Sequence, residues 1–146
     1  MAQGRSVLVV DDDQSFREAL AAALHAQGFG VIEAADGSAA LACLRRPSRP
    51  AVVVLDVVMP GVDGAAFRRA QLSDPQLAHV PVILCSGEKD LGRRAERLGI
   101  RDYVMKPVDL DRMVALLRSH TYHDGPPSGH GPSPRRRPAD RRTSAR

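Results

Sequence analysis

Long apolar runs are missing from this sequence. No segment approaches the roughly 20 consecutive apolar residues that span a bilayer, and residues 1–10 lack the basic start, apolar stretch and cleavage site of a secretion signal. Both absences point to a cytoplasmic protein with no membrane partner. Cysteine is scarce as well: Cys43 and Cys85 lie in apolar contexts without the spacing of metal ligands, so they are expected as small buried hydrophobes without chemistry. The five histidines form no cluster and are expected at the surface. A chain of 146 residues suits one domain with a proper core and is too short for two ordinary ones.

The formal net charge of +4 is unevenly spread: residues 1–122 carry 15 Lys plus Arg and 15 Asp plus Glu, whereas 123–146 carry six Arg against Asp124 and Asp140. Pro, Gly and Arg dominate 123–146 and apolar side chains are nearly absent there, so the expectation is a domain over 1–122 followed by a disordered basic tail. No aromatic residue interleaves the arginines, so base stacking is not suggested. The tail admits two readings, a solvated extension or a weak, salt-sensitive contact with nucleic acid or an acidic partner. The 24 residues after Tyr122 are too few for a DNA-binding or catalytic module, so the chain is expected to act as a single domain.

Within 1–122, short apolar runs alternate with segments of helical period. Strands are expected at 6–10, 30–34, 51–55, 80–85 and 103–105, several of them rich in the Val and Ile of buried strands. Helices are expected over 15–27, 38–45, 65–72, 88–98 and 110–120. Phe16, Leu20, Ala23 and Leu24 share one helical face, as do Met113, Leu116 and Leu117. Asp36, Asp63 and Asp109 stand where N-caps belong, and Gly28 and Gly99 where helices stop. A strand followed by a helix, five times over, predicts an α/β fold: a doubly wound, five-stranded parallel sheet with helices on both faces.

In such a sheet, ligands bind beyond the carboxyl ends of the strands, where the strand order reverses. The first strand ends in Asp11-Asp12-Asp13, the third in Asp56, the fourth in Ser86 and the fifth in Lys106, so all these groups fall on one rim. Several acids brought together repel one another unless a cation joins them, and a hard cation such as Mg²⁺ prefers oxygen ligands. Cation, ammonium and hydroxyl together suit the oxygens of a phosphoryl group. Each group alone has a plainer reading: an Asp run can simply cap a helix, the role assigned to Asp13, and serines at strand ends are common. Asp56 resists that reading, because a charge following Val52-Val53-Val54-Leu55 is costly without a partner.

The segments Val7-Leu8-Val9-Val10-Asp11-Asp12-Asp13 and Leu55-Asp56-Val57-Val58-Met59-Pro60-Gly61-Val62-Asp63-Gly64, followed in order by Ser86 and Lys106-Pro107, resemble the receiver domain of two-component response regulators. The resemblance covers roughly residues 5–120 and implies a flavodoxin-like strand order 2-1-3-4-5. It implies that Asp56 accepts a phosphoryl group from a histidine kinase or histidine phosphotransfer protein. It further implies Mg²⁺, replaceable by Mn²⁺, held by Asp11, Asp12, Asp56 and the Val58 backbone carbonyl. Lys106 matches the lysine that pairs with the phosphoryl oxygens, and Pro107 the proline that follows it through a cis peptide bond.

The same resemblance makes Ser86 and Tyr103 the switch pair, Val58 and Glu88 the positions that tune acyl-phosphate lifetime, and the surface built from residues 88–120 the face that meets a downstream protein. Between Ser86 and Gly99 the chain is about two residues shorter than in many receivers, in the spirit of an element-by-element alignment, so the fourth helix is expected to be short or shifted. Gly92 weakens it by about 1 kcal/mol relative to Ala. Two rival functions are a phosphatase acting on an external phosphoester and an unphosphorylated binding scaffold. The first is disfavoured by Val58 in place of a second acid two residues past Asp56, the second by the retention of Asp11, Asp12, Asp56 and Lys106.

Overall fold

The structure, a computed structural model, describes residues 6–57 and 63–121. Five strands and five helices alternate: β1 (Ser6–Val10), α1 (Gln14–Ala26), β2 (Gly30–Ala34), α2 (Gly37–Leu44), β3 (Val52–Leu55), α3 (Gly64–Ser73), β4 (Val82–Ser86), α4 (Leu91–Leu98), β5 (Asp102–Met105) and α5 (Leu110–Thr121). All strand pairs are parallel and the order is β2-β1-β3-β4-β5, as the sequence predicts. Chain order therefore reverses between β1 and β3. The basic tail expected at 123–146, and the boundary at Tyr122, lie outside the described residues.

Successive side chains of a strand point to opposite faces, and here each face meets helices, so the central strands are apolar throughout. Leu8, Val10, Val53, Leu55 and Leu84 pack on one side with Phe67, Leu91 and Ala95. Val7, Val9, Val54, Ile83 and Val104 pack on the other with Leu20, Leu24, Met113 and Leu117. On α1 the buried positions are Leu20, Ala21 and Leu24, with Ala23 and Phe16 only half-buried. Cys43 and Cys85 are buried free thiols. The edge strand β5 leaves Tyr103 and Met105 exposed.

Helix starts follow their caps. The carboxylates of Asp13, Asp36 and Asp63 accept the backbone N–H of Phe16, Ala39 and Ala66, and Asp109 accepts that of Arg112. After the turn at Gln27, Gly28 takes φ 97°, and Gly99 closes α4 at φ 69°, both conformations that favour glycine. The fourth strand begins at Val82 rather than at 80, because Pro81 has no N–H to give and contributes only its carbonyl, which accepts from Val53.

The fourth helix is short, as expected, but starts at Leu91 rather than 88. The Glu88 N–H is already used by the Ser86 hydroxyl oxygen, and Asp90 makes no side-chain cap. The other end of α4 is tied firmly. Arg68 of α3 donates from Nε to Leu98 O and from Nη2 to Gly99 O, both at 3.0 Å, and from Nη1 to Gln71 Oε1. Gln71 is wholly buried and donates to the Leu77 and Val80 carbonyls, which satisfies it inside the core. Burial lowers the pKa of Arg68.

Candidate functional site

The reversal of strand order places the ends of β1 and β3 side by side at the carboxyl rim. The ladder carries one step beyond each strand: Asp11 N–H donates to Ala34 O at 3.1 Å and Asp56 N–H to Val10 O at 3.0 Å, which fixes the backbone of both acids. Asp11 is 2% exposed and Asp56 7%, so both charges need partners, whereas Asp12 faces solvent. Carboxylate oxygens of Asp11, Asp12 and Asp56 lie within 4.8 Å of one another. An all-oxygen donor set of this kind fits a hard divalent cation such as Mg²⁺.

Lys106 closes the cluster from the end of β5. Its ammonium donates to Asp11 Oδ2 at 2.8 Å and to Asp56 Oδ2 at 3.4 Å, and it sits 4.0 Å from the centroid of the Phe16 ring. Burial alone would lower its pKa, but the bond to Asp11 and the charges of Asp56 and Asp11 outweigh that and raise it. The peptide bond from Lys106 to Pro107 is cis. Burial is also the main reason that the neighbouring Cys85 thiol is pushed up to about 12, with Asp11 and Asp56 reinforcing it against Lys106.

Ser86, the buried last residue of β4, faces the same cleft of about 500 Å³. Its carbonyl accepts the Lys106 N–H at 3.0 Å and its hydroxyl oxygen accepts the Glu88 N–H at 3.2 Å. Glu88 lines the cleft too, with its carboxylate 2.9 Å from Arg94 Nη2. That hydrogen bond raises the Arg94 pKa. The sequence-predicted groups Asp11, Asp12, Asp56, Ser86, Glu88 and Lys106 thus share one cleft. Tyr103 does not line it: the ring lies outward against α4. Val58 lies outside the described residues.

Several contributors escape sequence reasoning. Arg17 braces the first acid by donating from Nη1 to the Asp11 carbonyl at 2.9 Å while its Nε pairs with Glu33 at 3.0 Å. At Gly64 a Cβ would stand 2.4 Å from Val57 Cα and 2.9 Å from the Asp56 carbonyl, so α3 can press against the backbone that carries Asp56 only because this residue is glycine. At Gly92 a Cβ would stand 2.8 Å from the Tyr103 hydroxyl, so the glycine that weakens α4 also makes the seat for that ring. His120, expected merely at the surface, lies 3.2 Å from Asp102 and links α5 to β5. These contacts cross between elements. Gly64, inside the quoted motif, and Gly92, read as a weak point of the fourth helix, left a mark in the sequence, but neither contact did.

The sequence model of the response regulator receiver domain matches residues 7–118. The chain belongs to that family. Among curated relatives, this receiver domain is 38% identical over 117 residues to the response regulator PleD of Caulobacter vibrioides, covering 79% of this chain and 26% of that protein. It is 38% identical over 145 residues to the transcriptional regulatory protein CseB of Streptomyces avermitilis, covering 96% of this chain and 57% of that one. The chain thus spans between about a quarter and somewhat over half of the length of these relatives. The chemotaxis protein CheY4 of Vibrio cholerae superposes with a TM-score of 0.71 at 28% identity, over 79% of this chain and 97% of that one. A putative response regulator from Chloroflexus aurantiacus gives 0.73 at 26% identity, over 81% and 98%. The receiver's acidic cluster fits the phosphorylation and magnesium site of two-component response regulators.

Proposed function

We propose that Asp56 accepts a phosphoryl group from a histidine kinase or histidine phosphotransfer protein and that the resulting acyl phosphate changes what the 88–120 face binds. The observation that carries this reading is the packing of three carboxylates within 4.8 Å, two of them bridged by the Lys106 ammonium. A carboxylate oxygen of Asp56 attacks phosphorus, the bond from phosphorus to the donor nitrogen breaks, and its electron pair returns to the imidazole. Asp56 is well placed for this, being buried at its base and open to the cleft.

Asp11, Asp12, Asp56 and the Val58 carbonyl would hold Mg²⁺, or Mn²⁺ in its place; when bound, the ion offsets the charge gathering on the phosphoryl oxygens. Lys106 adds a second positive charge from the end of β5. Ser86 supplies a hydroxyl that can leave the Glu88 N–H for a phosphoryl oxygen, and Tyr103 follows from its seat on α4. Glu88 and Val58 tune how long the acyl phosphate survives. The chain in this reading is a signalling domain that acts on no external substrate, works in the cytoplasm as a domain over 1–122, and delivers its signal by protein contact. Among the described residues no helix is long and apolar enough to cross a membrane.

The test is intact-mass measurement after incubation with acetyl phosphate, with and without Mg²⁺, beside Asp56→Asn. A magnesium-dependent phosphoryl adduct on the parent protein and none on the variant is the expected result. A folded parent protein that takes no adduct would make this a receiver fold used as a binding scaffold.

A further inference from the structure

We infer that Phe16 is a positioning residue for Lys106, and that the aromatic face at this position, rather than its bulk, sets how fast Asp56 is phosphorylated. The inference rests on Asp56 being the phosphoacceptor. Among the described residues, the ammonium of Lys106 meets three groups: Asp11 at 2.8 Å, Asp56 at 3.4 Å and the Phe16 ring with its centroid at 4.0 Å. Both ends of the aromatic contact are anchored. The Phe16 N–H donates to the Asp13 carboxylate at 3.1 Å in the first turn of α1, and the Lys106 N–H donates to Ser86 O at 3.0 Å. Between those anchors runs a long, flexible lysine side chain that could point elsewhere.

The three neighbours differ in what they do when a phosphoryl group arrives. Attack through a carboxylate oxygen turns Asp56 from an anion into an ester-like acyl phosphate and moves the charge outward onto phosphoryl oxygens. The bond from Lys106 to Asp56, already the longer of the two, is then the one to be exchanged. The ring attracts the ammonium through its quadrupole, yet brings no charge and no lone pair to compete for the ammonium's protons. Phe16 can therefore hold the cation in the cleft before, during and after transfer, while the hydrogen-bond partners change around it. A carboxylate in the same place would compete with the incoming group.

The plainer role for Phe16 is packing, since its ring also lies against the cluster around Leu20 and Met113. Two substitutions separate the roles. Phe16→Leu keeps an apolar side chain and removes the π face; Phe16→Tyr keeps the face and can send its hydroxyl outward from a half-buried site. With acetyl phosphate as donor, its phosphorus–oxygen bond to the acetyl group breaks and acetate leaves with the electron pair. The time course of adduct mass should slow about three- to tenfold in Phe16→Leu and stay within about twofold of the parent in Phe16→Tyr. In the unphosphorylated protein, the NMR signals of the Lys106 ε-methylene protons should sit upfield through the ring current. That displacement should vanish in Phe16→Leu and persist in Phe16→Tyr. Equal rates in all three proteins, or equal slowing in both variants, would overturn the inference while leaving Asp56 as acceptor. A parent protein that forms no adduct would overturn the phosphoacceptor reading and this inference with it.

Discussion

The cleft has two walls, and they differ in how firmly they are built. On one side Asp11 and Asp56 continue strands β1 and β3, with their amides still in the ladder and Val10 and Leu55 buried behind them. On the other, Ser86 and Glu88 lead into α4, an eight-residue helix with no side-chain cap, a glycine at its second position and an exposed tyrosine against it. The carboxylates of Asp11 and Asp56 sit on the rigid wall, and the groups proposed to move sit beside the uncapped start of α4. The division falls at the end of β4, between Ser86 and the start of α4.

The comparison can be broken first on the rigid wall. Leu55→Ala removes a side chain with no exposed surface next to Asp56 and should cost about 2–5 kcal/mol, read from urea denaturation. The Cys85 thiol, under the same site, has its pKa raised from 9.0 to about 12, so the unfolded chain ionises first. The contribution of Cys85 should accordingly be constant below the ordinary thiol value and lower stability as pH climbs from about 9 toward 12, a decline that denaturation at stepped pH should find reduced in Cys85→Ala.

On the softer wall the effects should be smaller. Gly92→Ala gains up to about 1 kcal/mol of helix propensity, but its methyl would meet the Tyr103 hydroxyl at 2.8 Å and dislodge the ring. Tyr103 resonances should shift while the amides of β1 and β3 stay in place; movement throughout the sheet would deny that the walls are independent. A double-mutant cycle on Glu88 and Arg94, a partly exposed pair, should return only about 0.2–1 kcal/mol, measured by denaturation.

Much of the rigid wall was legible in the sequence. Acids that end runs such as Val52-Val53-Val54-Leu55 declare both the strand and the partner they need, and β1 and β2 fall at the bounds that periodicity predicts. The softer wall was legible only in outline. Glu88 to Asp90 carries a helix-like composition, yet its backbone is diverted by the Ser86 hydroxyl, and a hydrogen bond of that kind has no periodic signature. Phe16 shows why a helical face is not a partner: its spacing groups it with Leu20 and Leu24, while its ring meets a lysine 90 residues further along the chain. The seat of Tyr103 on Gly92 is hidden for the same reason.

The tie from Arg68 to the last carbonyls of α4 gives that helix a fulcrum. With Leu98 and Gly99 pinned to α3 and Leu91 seated in the core, the helix can tilt about its last turn only by carrying Leu91 across the strands beneath it. Eight residues make a lever of about 12 Å, so a tilt of roughly 10° would sweep its first turn through about 2 Å. That first turn carries Gly92, against which the Tyr103 hydroxyl rests. If phosphorylation draws the Ser86 hydroxyl as proposed, that small displacement would become at the surface a stroke comparable to the width of an atom.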